Sequence, residues 1–271
     1  MPRVALSIVE ARRRQLVELL GARRYLPVHE VARELNVSEA TARRDLDALQ
    51  LQDRARRTFG GAVQPVEPDA ALPDFDRRFP SFARRLRDAW PAKKRIARAA
   101  FKLIGAGQTL FLDAGTTCYA VARLLAGGKV RVPTGLRVYT HSLVLAEQLA
   151  AAEAVDVRML GGRLLHNQRI CLGAEVLRQV RRLRFDLALL GGEGFDAAGV
   201  WGSHAQVVQL QQAVVGRCDR HVLLLDGTKL NQNHGRLLLA WPDADTLITD
   251  ATATDLKHAG VPRTPPRHVK A

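Results

Sequence analysis

With 271 residues the chain is long enough for two domains, and a hydrophobic fraction of 47% excludes disorder as its default state. The balance of 41 Lys and Arg against 27 Asp and Glu, a formal net charge of +14, points to a polyanionic partner such as nucleic acid. Cys118, Cys171 and Cys218 form no C-x-x-C pair, the N-terminus lacks a signal-peptide pattern, and no run reaches the roughly 18 apolar residues of a membrane span, so a cytoplasmic chain without disulfides, zinc or membrane contact is expected.

The basic excess is spread along the chain. Residues 1–60 hold 12 basic and 8 acidic side chains, residues 111–271 hold 19 and 14, and the steepest bias lies between Arg77 and Lys102, where ten basic residues face the single Asp88.

Leu16, Val17, Leu19 and Leu20 sit on an otherwise basic segment and predict a first helix over 8–20, ended by Gly21. Pro27 stands where a helix can begin. Val28, Val31, Ala32 and Leu35 then follow the i, i+3, i+4, i+7 spacing of a single apolar stripe. Asn36 tolerates the left-handed backbone of a sharp helix exit, and Val37 can plug the corner that follows. Ser38 is a good N-cap for the next helix, with Glu39 in its first turn where the dipole favours an anion. In that helix Ala42, Leu46 and Leu49 share one face, while Arg43 and Arg44 fall elsewhere and Thr41 lies near the leading end. Two such helices place the second in a major groove, where an arginine fork pairs with guanine or clamps phosphate. Arg54, Arg56 and Arg57, followed by Gly60-Gly61-Ala62, suit a small β-wing along the phosphate backbone.

Residues 12–62 resemble the winged helix–turn–helix of the DeoR family of bacterial transcriptional regulators. The resemblance is carried by Arg13, Leu16, Leu20, Val28, Leu35, Val37-Ser38, Thr41, Arg43-Arg44-Asp45-Leu46, Leu49 and Gly60-Gly61-Ala62. Phe59 stands where the family usually has histidine. The resemblance implies a duplex DNA operator as partner, contacted by Ser38, Thr41, Arg43, Arg44, Arg54, Arg56 and Arg57.

From Val63 to Pro91 the five prolines Pro65, Pro68, Pro73, Pro80 and Pro91 mark a linker, interrupted by a short helix near Phe82–Asp88. Pro91 suits a first helical turn, and 92–104 then places Ile96, Ala100, Leu103 and Ile104 on one face.

Beyond this point strands and helices alternate. Thr109–Asp113, Leu136–Thr140, Val155–Gly161, Phe185–Gly191, His221–Asp226 and Asp245–Thr249 read as strands, with helices near 118–126, 143–152, 174–183 and 205–217. Alternation of this kind predicts an α/β domain with a mainly parallel, doubly covered sheet, whose ligands collect beyond the strand carboxyl ends. Polar and glycine residues cluster at those ends: Asp113-Ala-Gly-Thr-Thr117, Thr140-His-Ser142, Gly161-Gly-Arg163, Gly191-Gly-Glu-Gly194 and Asp226-Gly-Thr-Lys229. Gly115, Thr116 and Thr117 at a helix start offer N–H groups and hydroxyls to an anion. Neither P-loop nor dinucleotide-binding spacing is present, so a phosphate on a small metabolite fits better than a nucleotide. Arg163 and Lys229 can supply cations, and Asp113 and Glu193 can hold sugar hydroxyls. The other histidines, among them His29, His166, His204 and His234, show no metal-ligand spacing, and 252–271 reads as a loosely ordered tail.

This half resembles the DeoR-type sensor domain, itself similar to sugar-phosphate isomerases and coenzyme A transferases. The resemblance runs from about Phe82 to Asp250 through Lys94-Arg-Ile-Ala97, Asp113-Ala-Gly-Thr-Thr117, Leu160-Gly-Gly-Arg163, Gly194-Phe-Asp196 and Asp226-Gly-Thr-Lys229. It implies a phosphorylated sugar or related metabolite as effector, homo-oligomer formation, and an effector site of Asp113, Gly115, Thr116, Thr117, His141, Ser142, Arg163, Glu193 and Lys229. His141 replaces the usual asparagine and Glu193 the usual aspartate. The helix at 205–217, which usually brings a glutamate and a lysine to the pocket, carries Gln206, Gln209, Gln211 and Gln212 instead.

The expected organisation is a DNA-binding domain over 1–62, a linker over 63–91, a sensing domain over 92–251 and the tail. The expected function is a sequence-specific regulator, a repressor of sugar or related metabolite genes, with no catalytic residues, cofactor or metal. Two alternatives stand beside it. One is an isomerase-like enzyme with a DNA-binding appendage, which the neutral glutamines disfavour. The other is a nucleoid-type binder without an effector.

Overall fold

The computed structural model describes residues 6–23, 25–51, 54–58, 60–63, 82–233, 235–264 and 266–271. The linker residues 64–81, Phe59 and His234 lie outside them, as do the side chains of Arg56 and Arg57. The chain divides into two compact units, Met1–Arg87 and Asp88–Ala271.

The first unit opens with α1 (Leu6–Ala22), β1 (Leu26–Pro27), α2 (Val28–Glu34) and α3 (Glu39–Leu51). The hairpin of β2 (Arg56–Thr58) and β3 (Gly61–Val63) follows, and then α4 (Phe82–Arg87). The α1 helix runs one residue past the expected stop at Gly21, which is exposed and has no neighbour that a side chain would meet. Leu16, Leu20, Leu26, Val28, Val31, Ala42, Leu46 and Leu49 form a closed core, so the apolar stripes of all three helices converge. The three strands pair antiparallel in the order β1-β3-β2. Gly60 makes the turn at φ 80°, and Gly61 permits close packing: a Cβ there would lie 2.5 Å from the Leu26 carbonyl oxygen.

The second unit begins with α5 (Trp90–Phe101), two residues before the expected boundary, with Pro91 in its first turn. A seven-stranded sheet follows, in the order β15-β14-β12-β9-β4-β5-β6. All six expected strands are present, as β4 (Thr109–Leu112), β5 (Leu136–Thr140), β6 (Val155–Met159), β9 (Leu187–Leu190), β12 (His221–Leu224) and β14 (Thr246–Thr249). Every pairing in this sheet is parallel. The residues of β9, β12 and β14 are buried throughout, as a sheet covered on both faces requires. The covering helices include α6 (Thr116–Ala126), α7 (Leu143–Leu149), α8 (Ala174–Arg181) and α9 (Ala205–Val215).

Two antiparallel elements depart from the parallel pattern. One is the hairpin β7 (Arg163–Leu165) with β8 (Ile170–Leu172), and the other joins β10 (Gly194–Phe195), β11 (Gly199–Gly202) and β13 (Arg236–Ala240). The expectation of a loose tail after Asp250 is overturned. Thr252 and Asp255 form a capping box that opens α10 (Ala253–His258), and β15 (Arg267–Lys270) pairs in parallel with β14. Backbone pairing rather than apolar burial holds that edge strand, with Arg267 N–H donating to the Asp245 carbonyl at 2.9 Å and Ala271 N–H to that of Thr249 at 3.0 Å. Its polar composition therefore concealed it.

Candidate functional site

Two residue groups carry chemistry, one in each unit. In the first, Asn36, held at φ 47°, turns the chain just after the end of α2, and Val37 N–H donates to the Ala32 carbonyl at 2.9 Å. Val37 packs against the core at the corner. Ser38 Oγ accepts the Thr41 N–H at 3.2 Å and lies 3.0 Å from Thr41 Oγ1, so both hydroxyls are occupied in capping α3. Arg43 and Arg44 are exposed on this helix, as is Arg54 beyond it, and Arg43 donates to Glu39 one turn back at 2.7 Å.

Adjacent to them in sequence, Asp45 points the opposite way. It is 2% exposed and accepts Arg12 Nε at 2.6 Å and Arg13 Nε at 2.9 Å. The R-R-D run therefore contains two functions: arginines directed to solvent and a carboxylate that bolts α3 to α1. Reading the sequence did not assign Asp45 this role, because its partners lie 32 and 33 residues away. Arg56 and Arg57 fall on β2, the outer strand of the wing.

In the second unit, Asp113 follows β4 and is 3% exposed. Its Oδ2 accepts the Gly191 N–H at 2.9 Å and Gln211 Nε2 at 2.7 Å, and its Oδ1 lies 3.2 Å from His141 Nε2. Burial pushes the Asp113 pKa up, but the hydrogen bond and charge of His141 and the N–H groups of Gly191 and Ala114 outweigh it, leaving a net lowering. Gln211 also donates to the Gly191 carbonyl at 3.0 Å. Asp113, His141, Gly191 and Gln211 thus form one buried network that joins the ends of β4, β5 and β9 to α9. Gln211 was legible only as one of four glutamines; its burial singles it out.

Beside this network α6 begins. Gly115 is its N-cap, in extended conformation and without a side-chain cap, and no acidic residue occupies the first turn. Thr116 and Thr117 are buried, and Thr117 Oγ1 has no hydrogen-bond partner among the described residues. Burial raises the Cys118 thiol pKa well above its ordinary value; the Asp113 charge raises it further and Lys229 opposes it, so both charges reach this turn.

The remaining expected effector residues are placed less centrally. Ser142 caps α7, accepting the Leu145 N–H at 3.4 Å. Lys229 Nζ donates to the Gly192 carbonyl at 2.6 Å, and Glu193 accepts the Ser203 N–H at 2.9 Å. Arg163 lies on the β7–β8 hairpin, 3.5 Å from Gln206 Oε1. A cavity of about 520 Å³ lies to one side of the network, lined by Asp226, Gly227, Thr228, Asp250, Asp255 and His258 among others, and not by Asp113 or Thr117. The charge of Asp113 and an unpartnered buried hydroxyl select a ligand where open space does not, and both belong to the network and the start of α6 rather than to this cavity.

Among the described residues no group of three or more His, Cys, Asp or Glu could hold a metal ion, and no helix is long and apolar enough to cross a membrane.

Known proteins give the same two-part division. Residues 12–67 match the DeoR-like helix-turn-helix domain, and residues 89–251 match the DeoR C terminal sensor domain. The chain is 31% identical to the glycerol-3-phosphate regulon repressor of Haemophilus influenzae over 88% of each chain. It is 29% identical to the HTH-type transcriptional repressor GlcR of Bacillus subtilis, over 87% of this chain and 86% of that one. It is also 29% identical to the L-fucose operon activator of Escherichia coli, over 82% and 87%. The chain belongs to the DeoR family of DNA-binding transcriptional regulators.

Proposed function

We propose that this regulator represses genes of sugar or related metabolism, acting in the cytoplasm as a homo-oligomer on a duplex operator and controlled by a phosphorylated small molecule. The observation that carries the effector reading is the amino end of α6. Gly115 leaves its first-turn N–H groups without a side-chain cap, no acidic residue lies within that turn, and Thr117 Oγ1 is buried without a partner among the described residues. Unpaired donors at the positive end of a helix dipole suit a phosphate. Gly115, Thr116 and Thr117 are assigned to that group, with Lys229 as the nearby cation. His141 and Asp113 form the floor, and Ser142, Arg163 and Glu193 border it. Relatives named for glycerol-3-phosphate and L-fucose operons support the sugar-type ligand.

Operator contact is assigned to Arg43 and Arg44 on α3, with Ser38 and Thr41 at its leading end and Arg54, Arg56 and Arg57 at the wing. The Ser38 cap and the outward arginines support this assignment. Effector and operator are linked only if the effector binds the DNA-competent and incompetent states with different affinity. We read the chain as non-catalytic, because α9 meets Asp113 with the amide of Gln211, which neither gives nor takes a proton.

The test is a screen of sugar phosphates against the full chain. One member should raise the melting temperature in a concentration-dependent way and alter operator affinity, while its unphosphorylated parent does neither. The double change Thr116→Ala, Thr117→Ala should abolish the response without changing operator affinity in the absence of ligand. An unaltered response in that variant refutes the α6 assignment, and turnover of the ligand at enzymatic rates refutes the non-catalytic reading.

A further inference from the structure

The two edges of the sensor sheet differ in charge. At the carboxyl ends Asp113, Glu193, Asp226 and Asp250 stand with the cations Arg163 and Lys229. At the opposite, amino-terminal edge stand Lys102, Arg181, Arg182, Arg184, Arg217 and Arg220, against Asp186, Asp219 and Asp245, the last paired with His221 at 3.0 Å.

Hydrogen bonds make this edge continuous. Arg217 Nε donates to the Leu183 carbonyl at 2.9 Å, and Phe185 N–H donates to the Arg217 carbonyl at 2.9 Å. Arg220 donates to the Leu103 carbonyl at 3.3 Å, which brings it beside Lys102, and Arg184 pairs with Asp219 at 3.0 Å. Asp186 is occupied by the Thr109 N–H at 2.6 Å.

Apart from the Arg184–Asp219 pair, these bonds bring no counter-charge to the arginines. Carbonyls order the guanidinium groups of Arg217 and Arg220 without neutralising them, which removes part of the entropy cost of a later contact. The Arg184–Asp219 pair is 70% and 59% exposed, so water screens it and a polyanion can compete for Arg184. None of the six cations alternates with an exposed aromatic ring, so the surface suits phosphates rather than stacked single-strand bases.

We propose that this amino-terminal edge is a second phosphate-binding surface, which holds the backbone of duplex DNA irrespective of sequence. The occupant follows from charge complementarity and from the DNA-binding unit in the same chain, which supplies duplex phosphate at high effective concentration. The proposal goes beyond the effector reading and does not depend on it.

The experiment measures binding of the full chain to a random-sequence duplex as a function of salt. Changing Arg181, Arg182 and Arg184 together to glutamine should weaken binding roughly tenfold or more at low salt and reduce the slope of log affinity against log salt by about 2–3. The matching triple lysine variant should restore both. An independent variant, Lys102→Gln with Arg220→Gln, should reduce the slope by about 1–2. A wild-type slope in both glutamine variants overturns the proposal and would also be the outcome if the edge served an acidic protein. Failure of the lysine variant to rescue overturns it equally, since charge would then not be the cause. An Arg43→Ala, Arg44→Ala variant measured in parallel registers the separate contribution of α3, so failure at one surface is distinguishable from failure at the other.

Discussion

His141 lies between two hydrogen-bond acceptors, with Nε2 3.2 Å from Asp113 Oδ1 and Nδ1 3.0 Å from the Cys171 carbonyl oxygen. The ring and the Asp113 carboxyl group are both buried, so each is the other's polar partner away from water. Desolvation makes such a pair a poor source of net stability but makes loss of one member costly.

The first prediction is therefore asymmetric. His141→Leu leaves the buried Asp113 carboxylate without its Nε2 partner and should cost about 3–5 kcal/mol in urea unfolding. His141→Leu combined with Asp113→Leu removes both partners and should cost less than the sum of the two single changes. Additivity in this cycle would mean that the two groups do not interact.

Acid sensitivity follows from the same pair. The folded-state pKa of Asp113 is lowered, so its ionised form contributes stability that is present above the unfolded value of about 3.9 and is lost as pH falls through the folded value. Wild type should exceed Asp113→Asn in stability at neutral pH, and the two curves should converge below about pH 4. Parallel curves down to that range would exclude an ionised, stabilising Asp113.

Neighbouring residues of α3 should separate stability from binding. Asp45→Ala strips Arg12 and Arg13 of their shared acceptor and should cost about 3 kcal/mol of stability in the first unit. Arg44→Ala alters an exposed side chain and should leave stability within about 0.5 kcal/mol. It should weaken operator binding by about 1–3 kcal/mol. Arg43 is braced by Glu39, so Glu39→Gln frees its guanidinium and should change affinity only if that brace positions it. An Arg44→Ala variant with wild-type affinity would remove Arg44 from the contact.

What could be read from the sequence divides along physical lines. Strands β4, β9, β12 and β14 were legible because a covered parallel strand is a mainly apolar run closed by glycine or a polar residue, and β5 and β6 because apolar residues alternate along them. The Ser38 cap was legible because it is a local interaction over three residues. The edge strand β15 was not, because Arg267-His-Val-Lys270 is held by ladder bonds that any side chains permit. Gln211 was not, because nothing local distinguishes it from Gln206, Gln209 or Gln212; its partner Asp113 stands 98 residues earlier. Polar residues acquire meaning from what the fold brings to them.

The contact between Gln211 and Asp113 leads to the last prediction. Gln211 Nε2 lies 2.7 Å from Asp113 Oδ2, so Gln211→Glu would place two carboxylates in one buried site. Both cannot ionise there, and the pair should bind a shared proton with a raised apparent pKa. A raised folded-state pKa favours the folded protein below the unfolded glutamate value of about 4.3 and loses that advantage as pH rises through the folded value. The stability deficit of Gln211→Glu relative to wild type should therefore be small near pH 4, grow as pH rises, and level off once the shared proton is lost. Gln211→Leu supplies the contrast: it loses two hydrogen bonds without adding an ionisable group, and its deficit of about 1–3 kcal/mol should be nearly constant over the same range. Urea unfolding of both variants across pH decides the matter. A flat profile for Gln211→Glu would show that its carboxylate turns away from Asp113, and that Gln211 is not a fixed part of the sensor floor.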